Sequence, residues 1–382
     1  MDNLKTCINS KPLTLNETDK SYNSIDLVKF ICSLLIIVIH SQPLLEFSDA
    51  ANYIFNSSVC RLAVPFFFMS AGFLVFRKID PCNMQRGILV SFTKKILKLY
   101  LVWSIIYFLP SIYNLYTITP SISRCLIKFV RNTVFCASYV HLWYLPAVII
   151  AVWLTYFSLK HFKKFKIVIP CALLLYVIGM LPLTYRKAFG FFFYNPEIQR
   201  LLLLLKKLFV TTRNGIFFGF IFVAIGALFA YKPIKIEFNK AVILLLASVL
   251  LLVAEVVTSF FYFRSDESDF WLMIVPASFF LFYITTHIEI KNSNKYFVLR
   301  QMSSLIYFFH HFIIFSVLFI NKLSLHFLNG DLQIGWFLCW VITTTVSVAV
   351  SYIIVKLSQK PRLKFLKTVS YTHLTLPTTC QV

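Results

Sequence analysis

Lys29 and His40 stand eleven residues apart inside the apolar stretch DLVKFICSLLIIVIHSQPLL. Eleven steps of about 100° return a helix to within roughly 20° of its starting direction, so the two side chains share one face, about 16 Å apart along the axis. Two readings of the pair are open. In one, Lys29 snorkels to an interface and His40 caps the far end; in the other, an ammonium and an imidazole inside an apolar span face a protein interior and work there. Arg61 sets a third cation ahead of Pro65 in CRLAVPFFFMSAGFLVFRK, where Ser70 and Gly72 allow a neighbouring helix to come close. Glu255 is a carboxylate in the apolar run LLVAEVVTSFF and needs a partner or a raised pKa. In SSLIYFFHHFIIF, His310 follows Tyr307 by three residues and shares its helix face, whereas His311 points about 100° away. An imidazole suits proton transfer near neutral pH, and buried cations suit an anionic substrate or a developing negative charge.

The elements that must position these residues follow from composition. The chain has 382 residues, 59% hydrophobic and 18% aromatic, with mean hydropathy +0.77. Its apolar runs are too long and too numerous for one soluble core. Continuous rather than alternating hydrophobicity points to helices, not a barrel, and hence to an all-α polytopic membrane protein. Ten spans are expected, near 25–42, 61–76, 97–114, 142–159, 167–182, 212–231, 241–260, 270–287, 303–320 and 333–355.

A net charge of +22 would suit a nucleic-acid partner, but the placement of the cations does not. The connections that alternate from the N-terminus (before 25, then 77–98, 160–166, 232–240, 288–302 and 356–367) carry 24 Lys and Arg, against 10 in the other set. The positive-inside rule then places both termini in the cytoplasm. The basic segment 183–211, with its LLLLLKKLF run, falls in the outer set and reads as an interfacial amphipathic segment or as a fault in the span count.

The first apolar stretch is a full span behind a polar leader, 1–24, and is expected to be retained as an anchor. Nine scattered cysteines form no CxxC and no Cys/His spacing for zinc, so neither a disulfide framework nor a metal is expected. No Walker loop, GxGxxG or GxSxG is present.

Four stretches taken together, Lys29 with His40, RLAVPFFFMSAGF (Arg61 to Phe73), HLWYLPAV (His141 to Val148) and IYFFHH (Ile306 to His311), resemble the acyltransferase-3 family of bacterial integral membrane acyltransferases. The likeness extends over about residues 22–360. That family includes O-acetylases of surface polysaccharide and peptidoglycan and the membrane half of certain serine racemases. The resemblance implies transfer of an acyl group, commonly acetyl, from cytoplasmic acyl-CoA to a hydroxyl of a glycan, peptidoglycan or lipid-linked acceptor. His40 would be the base and Arg61 would stabilise developing charge, with Glu255 and His310 completing the cavity wall. Lys29, oriented by Asp26, and Trp143 would serve the acyl-CoA donor. Two departures from the family pattern stand out. The family usually carries arginine at Lys29, which would bind phosphate bidentately; and close relatives place serine directly before the glycine, where this chain has Ala71, with Ser70 one position earlier.

A rival class, a transporter or exporter using the same buried polar groups, lacks paired halves with matching broken helices; an inactive relative is a third possibility. The expected organisation is a leader at 1–24, a membrane domain at 25–360, a basic tail at 361–368 and a stretch at 369–382, VSYTHLTLPTTCQV, that resembles translated adapter sequence. His373 and Cys380 in that stretch are not counted as candidates, and the natural chain is expected to continue past about Thr368.

Overall fold

A computed structural model describes residues 22–209, 211–265, 270–327, 333–361 and 363. The leader as far as residue 21, nearly all of the basic tail, the 369–382 stretch, and Asp266, Glu267 and Asp269 lie outside the described residues. Among the described residues the regular structure is helical, with no strand, and the protein is an all-α polytopic membrane protein. Seven described cysteines are free thiols.

A helix stands at each of the ten expected spans. They are α1 (Asn23–Ser41), α3 (Ala63–Phe76) preceded by the short α2 (Asp49–Ser57), α4 (Arg86–Ile106) continued by α5 (Phe108–Ile118), α7 (Tyr144–Phe162) and α8 (Phe165–Met180), followed by α10 (Phe220–Tyr231), α11 (Phe238–Tyr262), α12 (Ile274–His287), α13 (Asn294–Phe327) and α14 (Trp336–Ser358). Six helical stretches are long and apolar enough to cross a membrane, the bent α4–α5 pair makes a seventh, and α8, α12 and the stretch Gly215–Tyr231 are shorter apolar helices. Two longer helices, α6 (Ile122–Phe135) and α9 (Pro196–Phe209), and a single turn at Gly190–Phe193 lie between spans among the described residues. The doubtful LLLLLKKLF run is therefore part of a helix.

The span expected at 97–114 is not straight: α4 and α5 meet at 60°. Pro110 explains the break, because it has no N–H to donate to the Ile106 carbonyl and its ring crowds that oxygen. The span expected to begin at 212 opens instead with a π turn, Gly215–Gly219, in which the Asn214 side chain accepts hydrogen bonds from the amides of Ile216 and Phe217 at 2.9 and 3.1 Å.

Close packing of α3 on α10 carries out what Gly72 suggested. A side-chain carbon on Gly72 would fall 2.4 Å from the Val223 carbonyl oxygen, and one on Gly226 only 2.2 Å from that of Met69. Each glycine lets the opposing backbone approach where lipid gives no hydrophobic drive for helix association. α1 and α13 run in the same direction and are laced at both ends. Near their starts, the Asp26 carboxylate takes a bidentate pair from Arg300, with Nη2 at 2.6 Å and Nε at 2.9 Å. Toward the other end, the His40 ring lies 5.3 Å from His310 and 4.3 Å from His311.

The connections sort into the two sets that the Lys and Arg count distinguished. Asn23 bonds the backbone of Ile290 at 3.3 Å, and Arg77 lies 4.5 Å over the Tyr22 ring, at the Lys29 end. At the His40 end, Arg264 pairs with Asp49 at 2.7 Å and the Phe337 amide donates to Glu46 at 3.0 Å.

Candidate active site

A cavity of about 1140 Å³, counted with its open mouth, runs between α1, α3, α4, α7 and α13. Lys29 and Lys95 line it toward one end; His40, Arg61, His141 and Arg213 line it toward the other, with Trp143, Tyr144, Ser304 and Tyr307 along the wall. The helical register seen in the sequence is therefore realised: one face of α1 contributes both Lys29 and His40. The Lys29 ammonium lies 6.0 Å from the centre of the Phe67 ring. The Lys95 ammonium nitrogen is buried and has no hydrogen-bond partner among the described residues.

Imidazoles concentrate at the His40 end. His141 is fully buried, its ring stacked on His311 at 4.8 Å and set 5.2 Å from His310. Both of its ring nitrogens are without hydrogen-bond partners among the described residues, as are Nε2 of His310 and Nε2 of His311. His310 Nδ1 is occupied, at 3.1 Å from the Ile306 carbonyl. Native proteins rarely bury polar atoms without partners, and such atoms mark places where water, an ion or substrate completes the bonding. His141 is positioned by its own backbone: its carbonyl accepts a short hydrogen bond from the Tyr307 hydroxyl, which ties the start of α7 to α13.

Of the residues expected at the site, His40, Arg61, Lys29 and Trp143 line the cavity. His310 does not; together with His311 it forms a layer packed against His40 and His141. Both adjacent histidines thus reach the cluster despite their 100° divergence, each ring centre lying within 5.3 Å of those of both His40 and His141. Asp26, three residues before Lys29, also binds Arg300, 274 residues away, through both carboxylate oxygens. Glu255 lies away from the cavity. Its carboxylate accepts the amides of Leu272 and Met273 at 2.8 and 2.9 Å and the Tyr185 hydroxyl, just ahead of α12. A half-buried carboxylate satisfied by three donors beside a helix N-terminus is accounted for by folding.

His141, Lys95 and Arg213 were not singled out from the sequence. His141 lay within a quoted motif, and orphaned ring nitrogens are its distinguishing mark; Arg213 carried no sequence signal. Its position follows from the π turn: a side chain on Gly215 would fall 2.2 Å from the Ala147 carbonyl oxygen, so the glycine lets the chain press against α7. Arg213 then lies over Trp143, 5.3 Å from the ring centre. Ser70 donates to the Phe66 carbonyl at 2.8 Å, while Ala71 faces the cavity.

The ligand atoms of His40, His310 and His311 fall within 4.8 Å of one another, so this group could hold a metal ion after closing toward the roughly 3.3 Å between neighbouring ligands of tetrahedral zinc. Residues 270 positions apart cannot announce such a group by local spacing.

Comparison with known proteins agrees with this architecture. Residues 22–356 match the model of an acyltransferase domain, acyltransferase-3. An amino-acid racemase of Enterococcus faecalis is 35% identical over 223 residues, 58% of this chain and 29% of the racemase. A serine/alanine racemase of Enterococcus gallinarum is 31% identical over 221 residues, 57% of this chain and 30% of that protein. The matched segment thus spans less than a third of these curated relatives. No solved structure matches. With the family model covering nearly the whole described chain, the protein belongs to the acyltransferase-3 family of membrane proteins.

Proposed function

We propose that this acyltransferase moves an acyl group, acetyl in the simplest case, from acyl-CoA at the Lys29 end of the cavity to a hydroxyl at the His40 end. One observation supports the reading: a single cavity joins two lysines at one end to two imidazoles and two arginines at the other. The orphaned Lys95 ammonium and Lys29 fit the phosphates of the donor, and the axial distance of about 16 Å from Lys29 to His40 suits an extended thioester arm. Trp143 packs beside that arm. In this reading the Lys29 end faces the cytoplasm and the acceptor is a glycan, peptidoglycan or lipid-linked group on the other side.

His40 takes the proton of the acceptor hydroxyl as its oxygen attacks the thioester carbonyl. A carbon–oxygen bond forms and the negative charge on the carbonyl oxygen falls beside Arg61. Collapse breaks the carbon–sulfur bond, and the proton returns from the imidazole to the departing thiolate. His141 holds the acceptor hydroxyl or the carbonyl oxygen with nitrogens that no protein group occupies. Lys29 and Lys95 supply binding and position.

Full-length protein in lipid nanodiscs, supplied with labelled acetyl-CoA and a mixture of hydroxyl acceptors, tests this. Removing a positioned acid–base group should lower transfer by about 10²–10⁴-fold in His40→Ala and comparably in His141→Ala. Wild-type rates in His40→Ala would overturn the mechanism. Acceptor movement across the membrane without thioester turnover would favour transport.

A further inference from the structure

Three imidazoles face one another across the seam between α1 and α13. Ring centres stand 5.3 Å apart for His40 and His310, 4.3 Å for His40 and His311, and 4.9 Å for His310 and His311. We propose that these three side chains bind a divalent transition ion of the zinc class, admitted through the cavity, and that the bound ion shuts off acyl transfer. The loss of transfer rests on the acyl-transfer reading, because the ion takes the lone pair with which His40 would accept a proton; the binding itself does not.

The spacing suits an ion without movement of the helices. In a tetrahedral zinc site each ligating nitrogen lies about 2.0–2.1 Å from the metal and roughly 1.1 Å from its own ring centre, so neighbouring ring centres stand about 5.2 Å apart. All three observed separations fall within about 1 Å of that value. The ligand atoms, within 4.8 Å of one another, can therefore converge by turning the rings rather than by shifting backbone.

The donors are also prepared. A carbonyl only accepts, so the 3.1 Å contact between His310 Nδ1 and the Ile306 oxygen places the ring proton on Nδ1 and the lone pair on Nε2. Metal-ligating histidines are oriented in this way, by donating the other ring N–H to a carbonyl or carboxylate. His310 is fully buried, and its Nε2, like that of His311, has no hydrogen-bond partner among the described residues. Such nitrogens call for something to complete their bonding. His40 stands in the last turn of α1, where the carbonyl end of the helix dipole favours a cation.

Ligand chemistry selects the class of ion. Imidazole suits zinc, copper and nickel, whereas magnesium and calcium prefer oxygen, and among the described residues no carboxylate lines the cavity. Arg61 and Arg213 line the same end and repel a dication, which makes the site one that fills and empties rather than one permanently loaded. His40 lines the cavity and His310 does not, so the ion enters past His40. Once ligated, that imidazole has no lone pair left for the acceptor proton.

Full-length protein purified without a polyhistidine tag, stripped with a chelator and held in nanodiscs, is dialysed against zinc, magnesium or calcium, and its metal content is read by elemental mass spectrometry. Zinc should be retained at about one ion per chain, with neither of the others. Cobalt in its place should show the visible absorption of a four-coordinate ion without a sulfur charge-transfer band. His310→Gln and His311→Gln, each checked for a monodisperse elution profile, should weaken zinc binding by about 100-fold, since even an outer-sphere partner is worth about 10–100-fold. The zinc concentration that halves acyl transfer should rise by the same factor, each variant being compared with its own metal-free rate. Failure of the wild type to retain zinc, sulfur bands in the cobalt spectrum, or equal retention by both glutamine variants overturns the site. Transfer that is unchanged or raised in zinc-loaded protein overturns the inhibition and leaves the acyl-transfer reading standing. Zinc retained through the histidines, with no thioester turnover in metal-free protein, upholds the site and removes that reading.

Discussion

His141 and Glu255 show how hydrogen-bond partners separate a candidate for chemistry from a group that holds the fold. Both are polar side chains within apolar segments, and the sequence ranks the carboxylate higher because a charge in lipid is the costlier of the two. In the fold the ranking inverts. Glu255 is satisfied by two amides and a tyrosine hydroxyl, whereas both nitrogens of His141 are left without hydrogen-bond partners among the described residues. Glu255→Leu should therefore leave the Leu272 and Met273 amides unpaired and lower stability by about 1–3 kcal/mol. Thermal unfolding in detergent would register this as a lower Tm, and thioester turnover per folded molecule should be retained. A loss of turnover at unchanged Tm would return Glu255 to the chemistry. Lys29 and His40 were legible because helical periodicity is local; the orphaned nitrogens of His141 were not, since they depend on which groups fail to arrive from elsewhere in the chain.

At the scale of elements, the seam between α1 and α13 sets the site's geometry. It is joined by an ion pair near one end and by imidazoles packed at a tilt toward the other. Asp26 is almost wholly buried and Arg300 mostly so, with side-chain exposures of 5% and 16%. Removing one partner of such a pair strands the other charge, at a cost of about 3–5 kcal/mol. Asp26→Ala should accordingly destabilise far more than the double variant Asp26→Ala with Arg300→Met, and comparison of Tm across the cycle would measure the coupling. Additive losses would mean that the pair does not hold the seam. The helices themselves could be read from hydropathy, because a span in lipid satisfies its own backbone and needs no neighbour to form. The 60° bend before Pro110 and the π turn at Gly215 could not, since a proline near a helix start is compatible with either continuation or a break. The partnership of Asp26 with Arg300 was also hidden, for it joins residues from opposite ends of the chain.

For the whole molecule, the alternating charge of the connections predicts a direction. Cys82 is exposed in the connection between α3 and α4, at the Lys29 end, and Asp49 lies at the His40 end. A membrane-impermeant maleimide applied to intact cells should spare Cys82 until the membrane is opened, and should label Asp49→Cys at once. That substitution breaks only an exposed pair with Arg264, worth about 0–1 kcal/mol. The reverse labelling pattern would invert the molecule and the proposed direction of transfer with it.

One element has a bearing on the lipid itself. α8 has 16 residues, and Ile167, Leu174 and Ile178 on its outer side are exposed. At 1.5 Å per residue it measures about 24 Å, short of the roughly 30 Å of hydrocarbon in an ordinary bilayer. Lipids against that edge must compress or the helix must be strained, so hydrophobic mismatch becomes a variable of the enzyme. Reconstituted into bilayers of increasing acyl-chain length, the protein should be most stable and most active in the thinner ones. A thermal midpoint that stays level across the series would show that the neighbouring helices, not the lipid, absorb the difference in length.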